Sequence, residues 1–139
     1  MIYRKNGDLI IRSMTEDDAR IIYETYLSYN WHPVLDTYRN YYTENGTGRR
    51  ITFCAEIDGK LAGHVSLILK PDPDELGPFR EEGLPLVSDF TVFFAYHRQG
   101  IGTALLDVSV QVVMAKNRLA SNVLNELSQL DGVLYLEEI

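Results

Sequence analysis

Leu86-Val-Ser-Asp-Phe-Thr-Val-Phe-Phe-Ala-Tyr-His-Arg-Gln-Gly-Ile-Gly-Thr-Ala-Leu-Leu106 is the stretch that decides how this chain folds. Its first half is an apolar run rich in Val and Phe, which predicts a buried strand. Its second half predicts a helix whose first turn is Gly100-Ile101-Gly102-Thr103. A short basic turn, Tyr96-His97-Arg98-Gln99, joins the two. A strand that runs through a glycine-rich turn into a helix points several unpaired backbone N–H groups outward at the helix start. Together with the positive end of the helix dipole they form a site for phosphate or pyrophosphate. The glycines let an anion approach the main chain, and Arg98 adds a charge-assisted contact.

Two common phosphate loops are excluded. A P-loop needs Gly-Lys-Ser/Thr after four intervening residues, and no Lys stands here. A dinucleotide fingerprint needs a third glycine where this chain has Leu105. The run His97-Arg98-Gln99-Gly100-Ile101-Gly102 instead resembles motif A of the GNAT family of acetyl-CoA-dependent N-acyltransferases, Arg/Gln-x-x-Gly-x-Gly/Ala. It departs from that pattern at its first position, His97. The strand residues Asp89-Phe90-Thr91-Val92 resemble the family's central strand.

The chain has 139 residues, 45% of them hydrophobic, so one domain spanning 1–139 with a single core is expected. A net charge of −7 argues against nucleic acid or an anionic membrane surface as the main partner. The one cysteine, Cys54, has no internal disulfide partner, which suits a reducing cytoplasm. No apolar run is long enough to span a bilayer, and Met1-Ile-Tyr-Arg-Lys-Asn6 lacks a signal-peptide core.

Read in order, Asp8 to Met14 is a short strand, and Thr15-Glu-Asp-Asp18 starts a helix with a hydroxyl cap and first-turn acids. That helix runs to about Tyr29, and Pro33 serves as an early residue of a second one reaching about Glu44. Strands follow over Arg50 to Ile57 and Lys60 to Lys70, joined by Asp58-Gly59, a strong hairpin signal. Pro71 to Pro85 carries four prolines and reads as an exposed loop. The helix from Gly100 either runs to Leu130 or breaks near Asn117. Asp131-Gly132 then turns the chain into a last strand, Val133 to Leu136. The order β-α-α-β-β-β-α-β is an α/β layout (α+β by some schemes) with a mixed central sheet flanked by helices.

This order is similar to the GNAT fold over residues 8 to 118, and the resemblance predicts that the C-terminal arm is incomplete. The family's usual general acid, a Tyr on a later helix, has no counterpart, and Tyr135 lies in the wrong kind of element. The resemblance implies direct transfer of an acetyl group from acetyl-CoA to a primary amine of a small molecule or peptide. It implies that Phe90, Thr91 and Val92 pair with the pantetheine arm, a bulge freeing a donor for the oxyanion. It also implies that His97, Arg98, Gln99, Gly100, Ile101, Gly102 and Thr103 hold the pyrophosphate.

Strand alternation puts Asp89, Thr91 and Phe93 on one face, so Asp89 is the candidate base, directly or through water. The alternative is a buried aspartate satisfied by main-chain N–H groups. His64 could reach the acceptor side, against the commoner reading of a hydrogen-bonded structural histidine. Helical spacing groups Tyr38 with Tyr41 and Tyr42, and Tyr23 with Tyr26. Core packing is the plainer reading of these rings and of Tyr29; the sharper one has Trp31 and neighbouring tyrosines, Tyr38 foremost, lining an acceptor pocket. His32, His64 and His97 are scattered without paired ligand spacing, so no metal is expected. A competing reading is a truncated or diverged CoA-binding module without turnover. The unclosed sheet predicts a homodimer, with exchange of the C-terminal segment as one route.

Overall fold

The computed structural model describes residues 1–71 and 84–128. Strands β1 (Ile2–Asn6) and β2 (Leu9–Ser13) form a hairpin around Gly7, whose φ of 60° few other residues adopt cheaply. Nothing in Ile2–Asn6 announces a strand, and pairing with β2 supplies what the local pattern lacks. Helix α1 (Glu16–Ser28) starts at Thr15, whose N–H donates to the Asp18 carboxylate at 2.7 Å. Helix α2 (Leu35–Asn45) begins two residues beyond Pro33, because Val34 is still extended at φ −114° and ψ 119°. Asn30, at φ 61°, reverses the chain between the helices.

Strands β3 (Arg50–Ile57) and β4 (Lys60–Ile68) meet at Asp58-Gly59, with φ values of 50° and 77°. This is the doubly left-handed geometry that a two-residue hairpin turn requires. Strand β5 (Leu86–Val92) completes a five-stranded antiparallel sheet in the order β1-β2-β3-β4-β5. A 3₁₀ turn (Phe94–Tyr96) leads to α3 (Ile101–Ser128). That helix is one unbroken piece of 28 residues, and Asn117 does not interrupt it. The loop residues 72–82, the Asp131-Gly132 turn, the expected strand 133–136 and Tyr135 lie outside the described residues.

The sheet's two faces differ in chemistry. Ile11, Phe53, Ala55, Val65 and Leu67 face α3 and pack on Ile101, Leu105 and Val108. The opposite face carries Arg50, Thr52, Cys54, His64 and Ser66, all buried beneath α1 and α2. On that side the apolar cover comes from Met14, Ile22, Tyr26, Tyr38, Leu61 and Phe93. A helix pair rich in tyrosine suits such a floor, because each ring brings one hydroxyl to a buried polar partner.

Candidate functional site

At the C-terminal end of β5 a cleft of about 280 Å³ is lined by Val92, Tyr96, His97, Arg98, Gly100, Ile101, Gly102 and Thr103. The local sequence builds it. Gly100, at φ 76°, turns the chain into α3, and its carbonyl takes the first helical N–H, from Ala104, at 3.1 Å. Arg98 is also left-handed, at φ 65°, which costs a non-glycine residue about 1 kcal/mol or more. The imidazole Nε2 of His97 lies 2.8 Å from the Val92 carbonyl and braces the turn against the strand. Free N–H groups of the first helical turn, the helix dipole and Arg98 make this cleft electropositive in an otherwise acidic molecule. The residues present suit a diphosphate: main-chain donors, one guanidinium and no side chain at Gly100 or Gly102.

One strand position upstream the ladder breaks. His64 pairs with Thr91 but Ser66 with Ser88, so Asp89 and Phe90 together oppose Val65. Asp89 occupies the left-handed region at φ 48°, a β-bulge in the middle of β5. The bulge sets which residues face which side. Val87, Phe90 and Val92 turn toward α3: Val87 lines a cleft with Ser109 and Val113, and Phe90 and Val92 approach Gly102. Thr91 and Phe93 face α1 and α2, where Phe93 packs edge-on to Tyr26 at 5.9 Å. Gly63 lets β5 come this close, since a Cβ there would stand 2.7 Å from the Thr91 carbonyl oxygen.

On the α1–α2 face the polar groups converge around Tyr26. Its hydroxyl and His64 Nε2 are 2.7 Å apart, with His64 fully buried. Burial holds the His64 imidazole below its ordinary pKa, against the opposing pull of the Asp89 and Asp18 charges. Burial pushes Tyr26 well up, with Thr91 drawing it back, so the phenol stays protonated. Tyr41 is pushed up by burial and then by the Asp89 carboxylate. Tyr38 is raised in the same way, by burial first and Asp89 second. Asp89 therefore sits among tyrosines that remain hydrogen-bond donors at neutral pH.

The structure brings Val92, His97, Arg98, Gly100, Ile101, Gly102 and Thr103 to one cleft, while Gln99 is not part of its lining. Phe90, 42% exposed, leans over Gly102, and Thr91 lies on the opposite face of the strand. Of the three acceptor-side candidates, Tyr38 and His64 are buried against Tyr26 at ring distances of 5.7 and 6.1 Å. Trp31 is 45% exposed and packs on Tyr26, Tyr29 and Phe94 at 5.0, 5.1 and 5.8 Å. Tyr26, Tyr29 and Tyr41 stand out in the sequence only as members of the aromatic set around Trp31, with no partner assigned to any of them. The Tyr29 hydroxyl accepts the Phe94 N–H at 3.2 Å, tying the α1–α2 turn to the cleft's approach. Helical spacing groups these rings but does not show which one meets a strand histidine or aspartate. Among the described residues no His, Cys, Asp or Glu cluster could hold a metal, and no helix is long and apolar enough to cross a membrane.

A family model described as the Acetyltransferase (GNAT) family matches residues 15–128. Among solved structures the chain resembles a Salmonella typhimurium acetyl transferase that modifies the N-terminal serine of 50S ribosomal subunit protein L7/L12. That likeness has 13% identity and a TM-score of 0.57, covering 86% of this chain and 69% of that one. A RimL ribosomal L7/L12 alpha-N-protein acetyltransferase in complex with coenzyme A matches at 13% identity and TM-score 0.60, over 85% and 69% of the two chains. A predicted acetyltransferase with acetyl-CoA from Clostridium acetobutylicum matches at 14% identity and TM-score 0.57, over 93% and 94%. At these identities the likeness is one of fold. The chain spans 65–69% of the length of the ribosomal L7/L12 enzymes it resembles. No curated protein sequence matches it significantly.

Proposed function

The chain belongs to the GNAT family of N-acetyltransferases, and from that membership we propose that it moves an acetyl group from acetyl-CoA directly to a primary amine of a small molecule or peptide. The observation that carries this reading is the juxtaposition of the diphosphate-sized cleft at Gly100–Thr103 with the bulge at Asp89. Acetyl-CoA, when bound, supplies an activated thioester. Main-chain N–H groups of the Gly100–Thr103 turn and the Arg98 guanidinium hold its diphosphate. The bulge takes β5 out of register with β4, which leaves main-chain donors of Phe90–Val92 for the pantetheine arm and the oxyanion.

An amine with a pKa near 10 pays about 4 kcal/mol to be deprotonated at pH 7. Asp89, on the α1–α2 face beside Tyr41, is the group we assign to take that proton, directly or through water. Tyr38, His64 and Trp31 belong to the wall of the acceptor side, joined by Tyr26. The same reading makes 1–139 one domain, places the enzyme in the cytoplasm and has it act as a homodimer.

Calorimetry with CoA and a thiol-release assay with acetyl-CoA and a panel of primary amines test the proposal. Gly100→Val forces a β-branched residue to φ 76° and is expected to weaken CoA roughly tenfold. Asp89→Asn is expected to lower kcat/KM by about a hundredfold or more and to flatten the rise of rate with pH. No heat with CoA overturns the reading. Heat with CoA but silence across the panel favours a binding module, and an unchanged pH profile removes Asp89 from the mechanism.

A further inference from the structure

We propose that the acceptor carries a carboxylate as well as its amine, and that Arg50, with Asn45, is the site that holds this carboxylate. The inference rests on the acetyl-transfer reading and names its substrate class.

Arg50 is the first residue of β3, and its side chain lies on the polar face of the sheet, beneath the end of α2. It is 8% exposed. Its Nε donates to Glu44 Oε2 at 2.8 Å, and the guanidinium lies 4.1 Å above the centre of the Tyr41 ring. Glu44 divides that oxygen with Arg49, whose Nη1 stands 3.4 Å away. Nη1 of Arg50 is buried and has no hydrogen-bond partner. One residue beyond Glu44, Asn45 takes the Thr52 N–H on its Oδ1 at 3.1 Å, and its Nδ2 is likewise buried and unpartnered.

Buried donors are nearly always satisfied in folded proteins, and a guanidinium N–H is among the costliest to leave unpaired. Both orphans are donors, so their missing complement is an acceptor, and the planar fork of arginine suits a carboxylate. The Arg50 side chain keeps 9% of its surface open, while Nη1 itself is buried.

Position links this pair to the chemistry. The ring of Tyr41 carries Arg50 on its face and feels the Asp89 carboxylate at its hydroxyl. An amine delivered to Asp89 and a carboxylate held by Arg50 are thus a tyrosine ring apart. That spacing favours an acceptor whose amine and acid are separated by several bonds over one in which both sit on the same carbon. The floor between them is a row of hydroxyls, with Thr52 and Ser66 bonded at 2.9 Å and Ser88 paired to Ser66. In a chain of net charge −7 a carboxylate is repelled at long range, so its recognition needs a fixed local cation.

The test compares 4-aminobutyrate, 5-aminopentanoate and 6-aminohexanoate with their carboxamides and with plain alkylamines, in turnover with acetyl-CoA and in calorimetry. At least one acid is expected to exceed its amide in kcat/KM by tenfold or more. Arg50→Gln is expected to bring that ratio near unity with CoA heat unchanged, and Arg50→Lys to keep part of it. Equal acids and amides overturn the proposal, as does a ratio that survives Arg50→Gln or an absence of both heat and turnover with every acid. If CoA gives no heat, acetyl transfer fails separately, and carboxylate binding is still decided by whether the acids give heat that Arg50→Gln removes. Where Arg50→Gln does not fold, the acid-to-amide ratio of the unchanged protein decides.

Discussion

His64 and Asp18 are both buried ionisable side chains, and opposite solutions to that problem give the fold two separate sensitivities to acid. His64 stays neutral: burial lowers its pKa from the ordinary 6.5, and the hydroxyl of Tyr26 satisfies Nε2. The unfolded chain then binds the proton more readily than the folded one, so stability falls as pH drops below about 6.5. Asp18 stays charged. Burial raises its pKa, but the Arg12 fork at 2.7 and 3.0 Å and the Thr15 N–H outweigh it, and the carboxyl ends below its ordinary 3.8. That contribution is present above about pH 3.8 and is lost as pH falls through the depressed value. Urea midpoints from pH 8 to pH 2.5 are expected to show two declines. His64→Gln, which keeps an acceptor for Tyr26, is expected to remove the upper one. Arg12→Met is expected to cost about 3 kcal/mol at pH 7 by stranding a buried carboxylate, and less at pH 3. A single decline that survives both substitutions would contradict these assignments.

At the scale of elements, the spacing of β4 and β5 decides whether the bulge and the cleft form, and two glycines set it differently. At Gly63 a Cβ would meet the Thr91 carbonyl at 2.7 Å and Val92 Cα at 3.2 Å, both main-chain atoms of a paired strand. Neither can give way without moving β5. Gly63→Ala is expected to cost about 2–3 kcal/mol and to weaken CoA binding with it. At Gly102 the nearest atom is Phe90 Cζ at 3.1 Å, the tip of an exposed side chain. Gly102→Ala is expected to stay within about 1 kcal/mol, which matches the Gly/Ala alternative in the motif it resembles. Urea unfolding of the two variants checks the contrast, and equal losses would refute it. The same contrast shows what was legible in advance. Asp58-Gly59 and the Gly100–Thr103 cradle depend on a few consecutive residues, so their conformation is written locally. The Asp89 bulge follows from resemblance alone, since no residue near it announces a left-handed strand aspartate. The meeting of Tyr26 with His64, or Tyr41 with Arg50, is set by which helix face settles on which strand, and periodicity does not carry that.

For the whole molecule, the decisive asymmetry is that, among the described residues, the polar face of the sheet is covered by two helices while the apolar face has only α3. Val87, Val110 and Met114 line a cleft of about 190 Å³ between β5 and α3, with 42%, 55% and 53% of their surfaces exposed. Beside it β5 is the last strand of the sheet among the described residues, and none of these pairs with its outer edge. An apolar stripe beside the Leu86–Ser88 edge, on the other side of the bulge from the Phe90–Val92 donors, is a self-complementary surface: a second copy offers side chains to bury there. Burial at about 25 cal/mol per Å² of apolar area makes such a surface adhesive once a few hundred Å² are covered. Light scattering at micromolar concentration is therefore expected to report a dimer. Val110 and Met114 stand one helical turn apart on the exposed side of α3, so converting both to Glu adds repulsion across the interface without entering the core. The double variant is expected to run as a monomer with an unchanged melting profile at high dilution. A monodisperse monomer of the unchanged chain would mean that this face is closed in another way, and the homodimer would have to be abandoned.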